Sequence, residues 1–111
     1  MAELFGNAIG PRGSRVRLGV KAPHDPGLTD DVVDVLLDLD ATEPHSYAAV
    51  WDAERVSFYV DEVAVRVVPQ GIGYPQQLMI DLFEFPAGPE RPPADYPKSA
   101  RVHSVRGYAR R

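Results

Sequence analysis

The stretch from His45 to Phe85, HSYAAVWDAERVSFYVDEVAVRVVPQGIGYPQQLMIDLFEF, contains the clearest structural pattern in the chain. An aromatic-rich segment, Tyr47 to Trp51, is followed by a charged turn and by the alternating segment Arg55 to Val60. Asp61 and Glu62 then lead into the apolar segment Ala64 to Val68. Short alternating segments joined by brief polar turns are typical of antiparallel strands. The stretch therefore predicts a series of paired strands.

The rest of the chain supplies further strand candidates. Towards the N-terminus these are the end of a strand at Glu3 to Phe5 and the alternating segment Arg15 to Lys21. Asp31 to Leu39 fits either a short helix or a strand, and its valines favour a strand. Towards the C-terminus we expect a buried strand over Gln77 to Phe85 and a closing strand over Ala100 to Tyr108. Strands at this spacing predict an all-β sandwich or barrel.

Length and composition restrict the class of protein. With 111 residues, 44% apolar and 25% charged, the chain is expected to form one globular domain over residues 1–111. Eleven prolines favour turns over long helices, and five of them predict a surface loop over residues 86–97. No apolar run approaches the ~20 residues of a membrane span, so we expect no membrane partner. No signal peptide is recognisable, and secreted and cytoplasmic locations both stay open.

Charges are segregated along the chain, although the formal net charge is only −4. Residues 25–62 contain eleven acids and one base, whereas the first 21 residues contain four bases and one acid. The C-terminal end is also basic, but it lacks the interleaved aromatics of a nucleic-acid stacking platform. We therefore expect no nucleic-acid partner. Acidic and basic strands are expected to lie side by side and neutralise one another.

Four segments resemble, in order, motifs of the family-16 glycoside hydrolases. His45 to Trp51 and Val56 to Asp61 are similar to the family's "His-x-Tyr-x-x-Glu-Trp" and "Ile-x-Phe-Tyr-Val-Asp-Gly" strands. Tyr74 to Leu82 resembles its "Pro-x-x-Leu-x-Leu-Asn-Leu" strand. Tyr96 to Tyr108 resembles its closing "Pro-x-x-Met-x-Val-Asp-Tyr-Val-Arg-Val-Tyr" strand. The ordered set is more specific than any one of these motifs.

The sequence departs from the family pattern at three notable positions. Val50 stands where Glu is usual, Glu62 stands where Gly is usual, and His103 replaces an Asp. The resemblance implies an antiparallel β-sandwich of the concanavalin A-like jelly-roll type. This chain would correspond to the C-terminal half of such a domain, so the sandwich would be incomplete. The implied partner is a β-linked polysaccharide or oligosaccharide, such as a β-glucan or an agar.

The resemblance also identifies Glu3 as the candidate catalytic residue. The family's catalytic strand, "Glu-x-Asp-x-Glu" or a close variant, is commonly followed by an apolar pair and Gly, and Glu3-Leu4-Phe5-Gly6 matches its tail. Retaining hydrolysis needs two carboxylates about 5–5.5 Å apart. Glu3 would be the acid/base, and the nucleophile has no counterpart in this sequence. We therefore expect the chain by itself to be inactive or very weak as an enzyme.

Four residues are candidates for contact with a sugar. Aromatic faces suit the C–H surface of a pyranose, so Trp51 either stacks on a sugar or anchors the core between the sheets. Tyr74 and Tyr96 lie in predicted loops and are the better candidates for exposed aromatic residues. Glu84 lies on a predicted strand from which, in the family, polar residues can reach the cleft.

The sequence predicts neither a metal site nor a cofactor. Its three histidines have no ligand-like spacing, and its acids form no calcium loop. Two alternatives to a hydrolase stay open. The first is a carbohydrate-binding, lectin-like module that has lost its chemistry. The second is a self-associating β protein, such as a homodimer, because a half-sandwich exposes apolar edges and faces.

Overall fold

The computed structural model describes residues 1–85 and 92–109, and the chain divides into two units. The first unit, Met1–Pro75, contains six strands. The second unit, Gln76–Arg111, contains one short 3-10 turn, Pro93–Asp95, among its described residues. The predicted loop over residues 86–97 lies partly outside the described residues. The all-β fold class is confirmed.

The six strands form two three-stranded antiparallel sheets. The first sheet has the order β1-β2-β3, and its strands are β1 (Ala2–Leu4), β2 (Ser14–Val20) and β3 (Asp31–Leu37). The second has the order β4-β5-β6, and its strands are β4 (Tyr47–Trp51), β5 (Val56–Val60) and β6 (Val63–Val68). Within each sheet, strands that are consecutive in sequence pair with one another. The arrangement is that of a partial β-sandwich.

The core combines the apolar faces of both sheets. In β2 and β5 alternate residues point inward, as the period of two of a strand requires. The buried side chains are Val16, Leu18, Val20, Leu37, Val56, Phe58, Val60 and Val68. The opposite face of β2 carries Arg15 and Arg17, which are only partly buried. This alternation is why one face of the first sheet is apolar and the other is charged.

Arg66 of β6 links the second sheet to the first. Its largely buried guanidinium donates to the carbonyl of Leu18 and forms an ion pair with Asp31 of β3. Gly19 permits this approach, because a Cβ at that position would lie 2.8 Å from Nη1 of Arg66 and still closer to the β3 backbone. A small residue is therefore needed at position 19 of β2, where the guanidinium of Arg66 approaches the strand.

Two of the predicted strands are wrong. Gln77 to Phe85 and Ala100 to Tyr108 form no strand, and their residues are exposed. Their apolar composition suits a sheet, but a strand forms only when a neighbour pairs its backbone groups. No described residue pairs with either segment. Both segments therefore have the local pattern of a strand but no pairing partner among residues 1–85 and 92–109.

Candidate functional site

An open depression in the first unit is lined by two aromatic residues. Trp51, the last residue of β4, and Tyr74, in the loop after β6, border a depression of about 390 Å³. Its other lining residues are Asp52, Ala53, Ile72, Gly73 and Pro75. Trp51 is 42% exposed and Tyr74 is 48% exposed. Trp51 is therefore not a buried core anchor, and the structure brings two predicted sugar-contact residues to one surface.

The loop that carries Tyr74 is held against the turn between β4 and β5. The N–H of Ile72 donates to the carbonyl of Asp52 over 2.8 Å, and the Ile72 side chain packs on the core. Gly71 lies so close to the backbone of Ala53 that no side chain would fit there. The Asp52 carboxylate accepts two backbone N–H groups of its own turn, at 2.9 and 3.0 Å. Both sides of the depression are thus anchored.

A hydrogen bond fixes the far end of Tyr74. Its hydroxyl donates to Oδ2 of Asp25 over 2.8 Å. This bond raises the pKa of Tyr74 and lowers the pKa of Asp25, because it favours the neutral phenol and the carboxylate. Thr29 and Gln70 link the same two loops, with the Thr29 N–H donating to Oε1 of Gln70 over 2.8 Å. No sequence pattern pointed to Asp25, since 49 positions separate it from Tyr74.

The other two sugar-contact candidates meet in the second unit. The Tyr96 hydroxyl lies 2.6 and 2.7 Å from the two carboxylate oxygens of Glu84. Nζ of Lys98 lies 5.7 Å from the centre of the Tyr96 ring, within range of a cation–π contact. Both Glu84 and Tyr96 are exposed. Glu84 therefore lies on irregular backbone next to an aromatic ring, and not on the sheet face that the sequence predicts.

Glu3 lies in a row of charges that crosses the first sheet. It pairs in register with Arg17 of β2, which pairs in register with Asp34 of β3. Nε of Arg17 lies 2.8 Å from Oδ1 of Asp34, and Nη1 lies 4.0 Å from Oε2 of Glu3. The hydrogen bond between Arg17 and Asp34 raises the pKa of Arg17 and lowers the pKa of Asp34. The predicted neutralisation of basic and acidic strands is confirmed here.

This row differs from the carboxylate pair of a retaining glycosidase. Glu3 and Asp34 belong to strands on opposite sides of β2, so their backbones are roughly 9–10 Å apart. The side chain of Arg17 contacts both carboxylates, and the catalytic pair would need a separation of about 5–5.5 Å. The Glu3 side chain is 19% exposed. In this structure Glu3 is an ion-pair partner, and its catalytic role stays a prediction.

A larger depression of about 720 Å³ lies at the start of β2. Its lining includes Asn7, Arg12, Arg15 and Asp38 but no aromatic residue. None of the predicted site residues borders it. Since stacking on a sugar requires an aromatic face, the depression at Trp51 and Tyr74 is the better candidate site.

The described residues contain no group of three or more side chains placed to hold a metal ion. His45, which lies close to two acids, hydrogen-bonds to Asp61 over 2.6 Å and to the backbone of Asp40. In the same part of the chain, no helix has the length and apolar character needed to cross a membrane.

Comparison with protein families identifies the lineage. Residues 24–91, more than half of the chain, match the family described as Glycosyl hydrolases family 16. The matched region contains β3 to β6, Trp51, Tyr74 and Glu84, whereas Glu3 lies outside it. No curated protein and no solved structure matches the chain. The chain belongs to family 16 of the glycosyl hydrolases.

Proposed function

We propose that this chain binds a β-linked polysaccharide at the depression formed by Trp51 and Tyr74. Membership of the family supports a glycosidase-like or carbohydrate-binding function in general. The observation that carries the proposal is the exposure of two aromatic side chains on one open depression of about 390 Å³. Aromatic faces pack against the C–H surface of a pyranose ring, and this contact does not depend on one particular hydroxyl pattern.

The open shape of the depression favours a polymer over a small ligand. It is bordered by one strand end, one turn and one loop, and it remains open to solvent. A site for a small molecule usually buries most of its ligand in a closed cleft. An open surface instead contacts one side of a ligand and leaves both of its ends free. The internal sugar units of a polysaccharide meet this condition.

Binding by this chain alone is expected without hydrolysis. The retaining mechanism needs a nucleophile and an acid/base that face the same glycosidic bond. Glu3, the predicted acid/base, contacts Arg17, and the carboxylate that shares this arginine is Asp34 on the far side of β2. This placement supports a binding role for the chain over turnover.

Hydrolysis of a β-linked polysaccharide is the second candidate function. It is favoured by the match of Glu3-Leu4-Phe5-Gly6 to the tail of the family's catalytic motif. A retaining rate on laminarin, lichenan or agarose that Glu3→Gln abolishes would support this second function. Saturable binding without any such rate would support the binding function.

Fluorescence titration tests the binding proposal, because Trp51 is the single tryptophan of the chain. Oligosaccharides of laminarin, lichenan and agarose are added, and at least one is expected to give a saturable change. Tyr74→Ala should weaken that binding about five- to tenfold, as the loss of roughly 1–1.5 kcal/mol of ring contact predicts. Tyr108→Ala removes a ring that is 86% exposed and lies outside the depression, and should change nothing. A flat response to every glucan and galactan would overturn the proposal.

Glu84 and Tyr96 are proposed to provide a separate sugar contact in the second unit. Their hydrogen bond places a carboxylate, which accepts from sugar hydroxyls, next to an aromatic ring. Tyr96→Ala should weaken oligosaccharide binding measured by the same titration, and Tyr108→Ala again serves as the control. Equal affinities of wild type and Tyr96→Ala would limit the proposed site to the first unit.

A further inference from the structure

Asp25 contacts Tyr74 at the edge of the proposed binding site. Oδ2 of Asp25 accepts the Tyr74 hydroxyl over 2.8 Å, although Asp25 does not itself line the depression. The contact joins the loop after β2 to the loop after β6. It involves the hydroxyl of Tyr74, an aromatic residue that is 48% exposed.

The Asp25 carboxylate is itself held in place. Oδ1 accepts the N–H of Gly27 over 2.9 Å, and the Asp25 carbonyl accepts the N–H of Leu28 over 3.2 Å. Leu28 packs against the core. The N–H of Asp25 donates to the carbonyl of Ala22 over 3.3 Å. The loop is thus a compact turn fixed to the core, and it leaves the second carboxylate oxygen directed at Tyr74.

The hydrogen bond between Asp25 and Tyr74 affects sugar binding because it orders the Tyr74 side chain. An exposed tyrosine that exchanges between rotamers must be ordered when a ligand binds, at a cost of about 0.5–1.5 kcal/mol. A hydroxyl that is already bonded to Asp25 restricts the ring before the ligand arrives. The same bond occupies the hydroxyl proton, so Tyr74 offers a sugar its ring face in preference to a hydrogen-bond donor.

We propose that Asp25 is a positioning residue of the Trp51–Tyr74 binding site, which holds the Tyr74 ring in the orientation that a sugar ring stacks on. This inference rests on the proposed function, because it assigns a role within that site. Asp25 makes no contact with the sugar. Its effect on affinity depends entirely on the Tyr74 hydroxyl.

A double-mutant cycle on the full chain tests this dependence. Asp25→Ala and Tyr74→Phe each remove the hydrogen bond, and each should weaken binding of a laminarin or lichenan oligosaccharide about three- to tenfold. The double variant should bind no more weakly than either single variant. Asp25→Asn should restore affinity to within about twofold of wild type, because its amide can still bond the Tyr74 oxygen. Losses that multiply in the double variant would overturn the proposal.

Asp30→Ala is the matched control. Asp30 lies in the same loop and accepts the N–H of Ala22 over 3.2 Å, so this variant makes the same change of charge without touching Tyr74. Its affinity should remain near that of wild type. A loss equal to that of Asp25→Ala would mean that closure of the loop, and not the hold on Tyr74, is what matters, and would overturn the proposal.

Titration of the Tyr74 phenol separates this inference from the proposed function. The phenol is followed by NMR on protein with labelled tyrosines and assigned with Tyr74→Phe. Its pKa should fall in Asp25→Ala and stay unchanged in Asp30→Ala, whether or not any sugar binds. If wild type binds no oligosaccharide but this pattern appears, the proposed binding function is wrong. The hydrogen bond between Asp25 and Tyr74 is then still supported. A phenol that titrates identically in wild type and Asp25→Ala overturns the inference.

Discussion

His45 contacts a hydrogen-bond acceptor at each of its ring nitrogens. Nδ1 lies 2.6 Å from Oδ2 of Asp61, and Nε2 lies 2.9 Å from the carbonyl of Asp40. A carboxylate and a carbonyl only accept, so both contacts are satisfied only when the ring is a doubly protonated imidazolium. Accordingly, the hydrogen bond to Asp61 raises the pKa of His45. The N–H of Ser46 and the His45 ring lower the pKa of Asp61.

These shifts predict that stability depends on pH through His45. Its folded pKa lies above the unfolded value of about 6.5, so its contribution is fully present below about pH 6.5 and is lost as the pH rises through the folded pKa. The Asp61 contribution has the opposite sign: it is present above about pH 4 and is lost as the pH falls through its folded pKa. The free energy of unfolding of wild type minus that of His45→Gln should therefore shrink as the pH rises above neutrality.

Urea denaturation at a series of pH values measures this difference. His24→Gln is the matched control, because His24 lies in the loop after β2 and has no part in the contact between His45 and Asp61. The difference in free energy of unfolding between wild type and His24→Gln should not show the decrease above neutrality that is expected for His45→Gln. A His45→Gln difference that stays constant between about pH 5 and pH 9 would show that the imidazolium does not stabilise the fold.

The turn between β5 and β6 contains a residue that does not suit its backbone conformation. Asp61 and Glu62 have φ angles of 47° and 67°, so this is a two-residue hairpin turn with both central residues in the left-handed region. Such turns favour Asp-Gly or Asn-Gly, because a Cβ is disfavoured there. Glu62 occupies the position where the resembling family motif has Gly.

Glu62→Gly should therefore raise the free energy of unfolding by about 0.5–1 kcal/mol. The relief of left-handed strain exceeds the added flexibility of a glycine in the unfolded chain. Urea denaturation measures the change. Glu54→Gly, in the turn between β4 and β5, is the control: φ of Glu54 is not positive, so glycine there should lower stability or leave it unchanged. Equal effects at the two positions would contradict the explanation.

The strands that the sequence predicts correctly differ from the others in their neighbours. Val56–Val60 is bounded on both sides by short turns that bring strands alongside it, so local signals were enough to identify the strand and its pairing. Gln77 to Phe85 has an equally apolar pattern, but no described residue pairs with it. Backbone pairing depends on distant parts of the chain. A local pattern therefore identifies residues that suit a strand without establishing that the strand forms.

The candidate site could be predicted only in part for the same reason. Tyr74 lies in a predicted loop, so its exposure was expected, whereas the sequence left open whether Trp51 stacks on a sugar or anchors the core between the sheets. Their meeting on one depression depends on the anchoring of the loop after β6, which no local pattern encodes. The ion pair between Glu3 and Arg17 likewise depends on the register of β1 against β2. The types of residue in the site could be predicted from the sequence. Which of these residues contact one another depends on the fold.

Gln77 to Phe85 is a long apolar segment that is exposed among the described residues of the chain. It has no proline or glycine, its only charges are Asp81 and Glu84, and its described backbone forms no strand pairing. Its exposed apolar side chains are Leu78, Met79, Ile80, Leu82, Phe83 and Phe85. Segments of this composition that do not belong to a sheet pair readily with identical copies of themselves. A second copy of this chain is therefore the partner that we expect to cover it.

We therefore expect the chain to self-associate, and a charge introduced at an apolar position of the segment should weaken this association. Sedimentation velocity over a series of concentrations should show dimers or larger species for wild type. Ile80→Lys should shift the distribution towards monomer, because a lysine in the paired segment would have to be desolvated. Leu36→Lys is the matched control, since Leu36 is 83% exposed on β3 and lies outside the segment. A strict monomer at every concentration would contradict the prediction, and an equal effect of Leu36→Lys would place the association surface elsewhere on the chain.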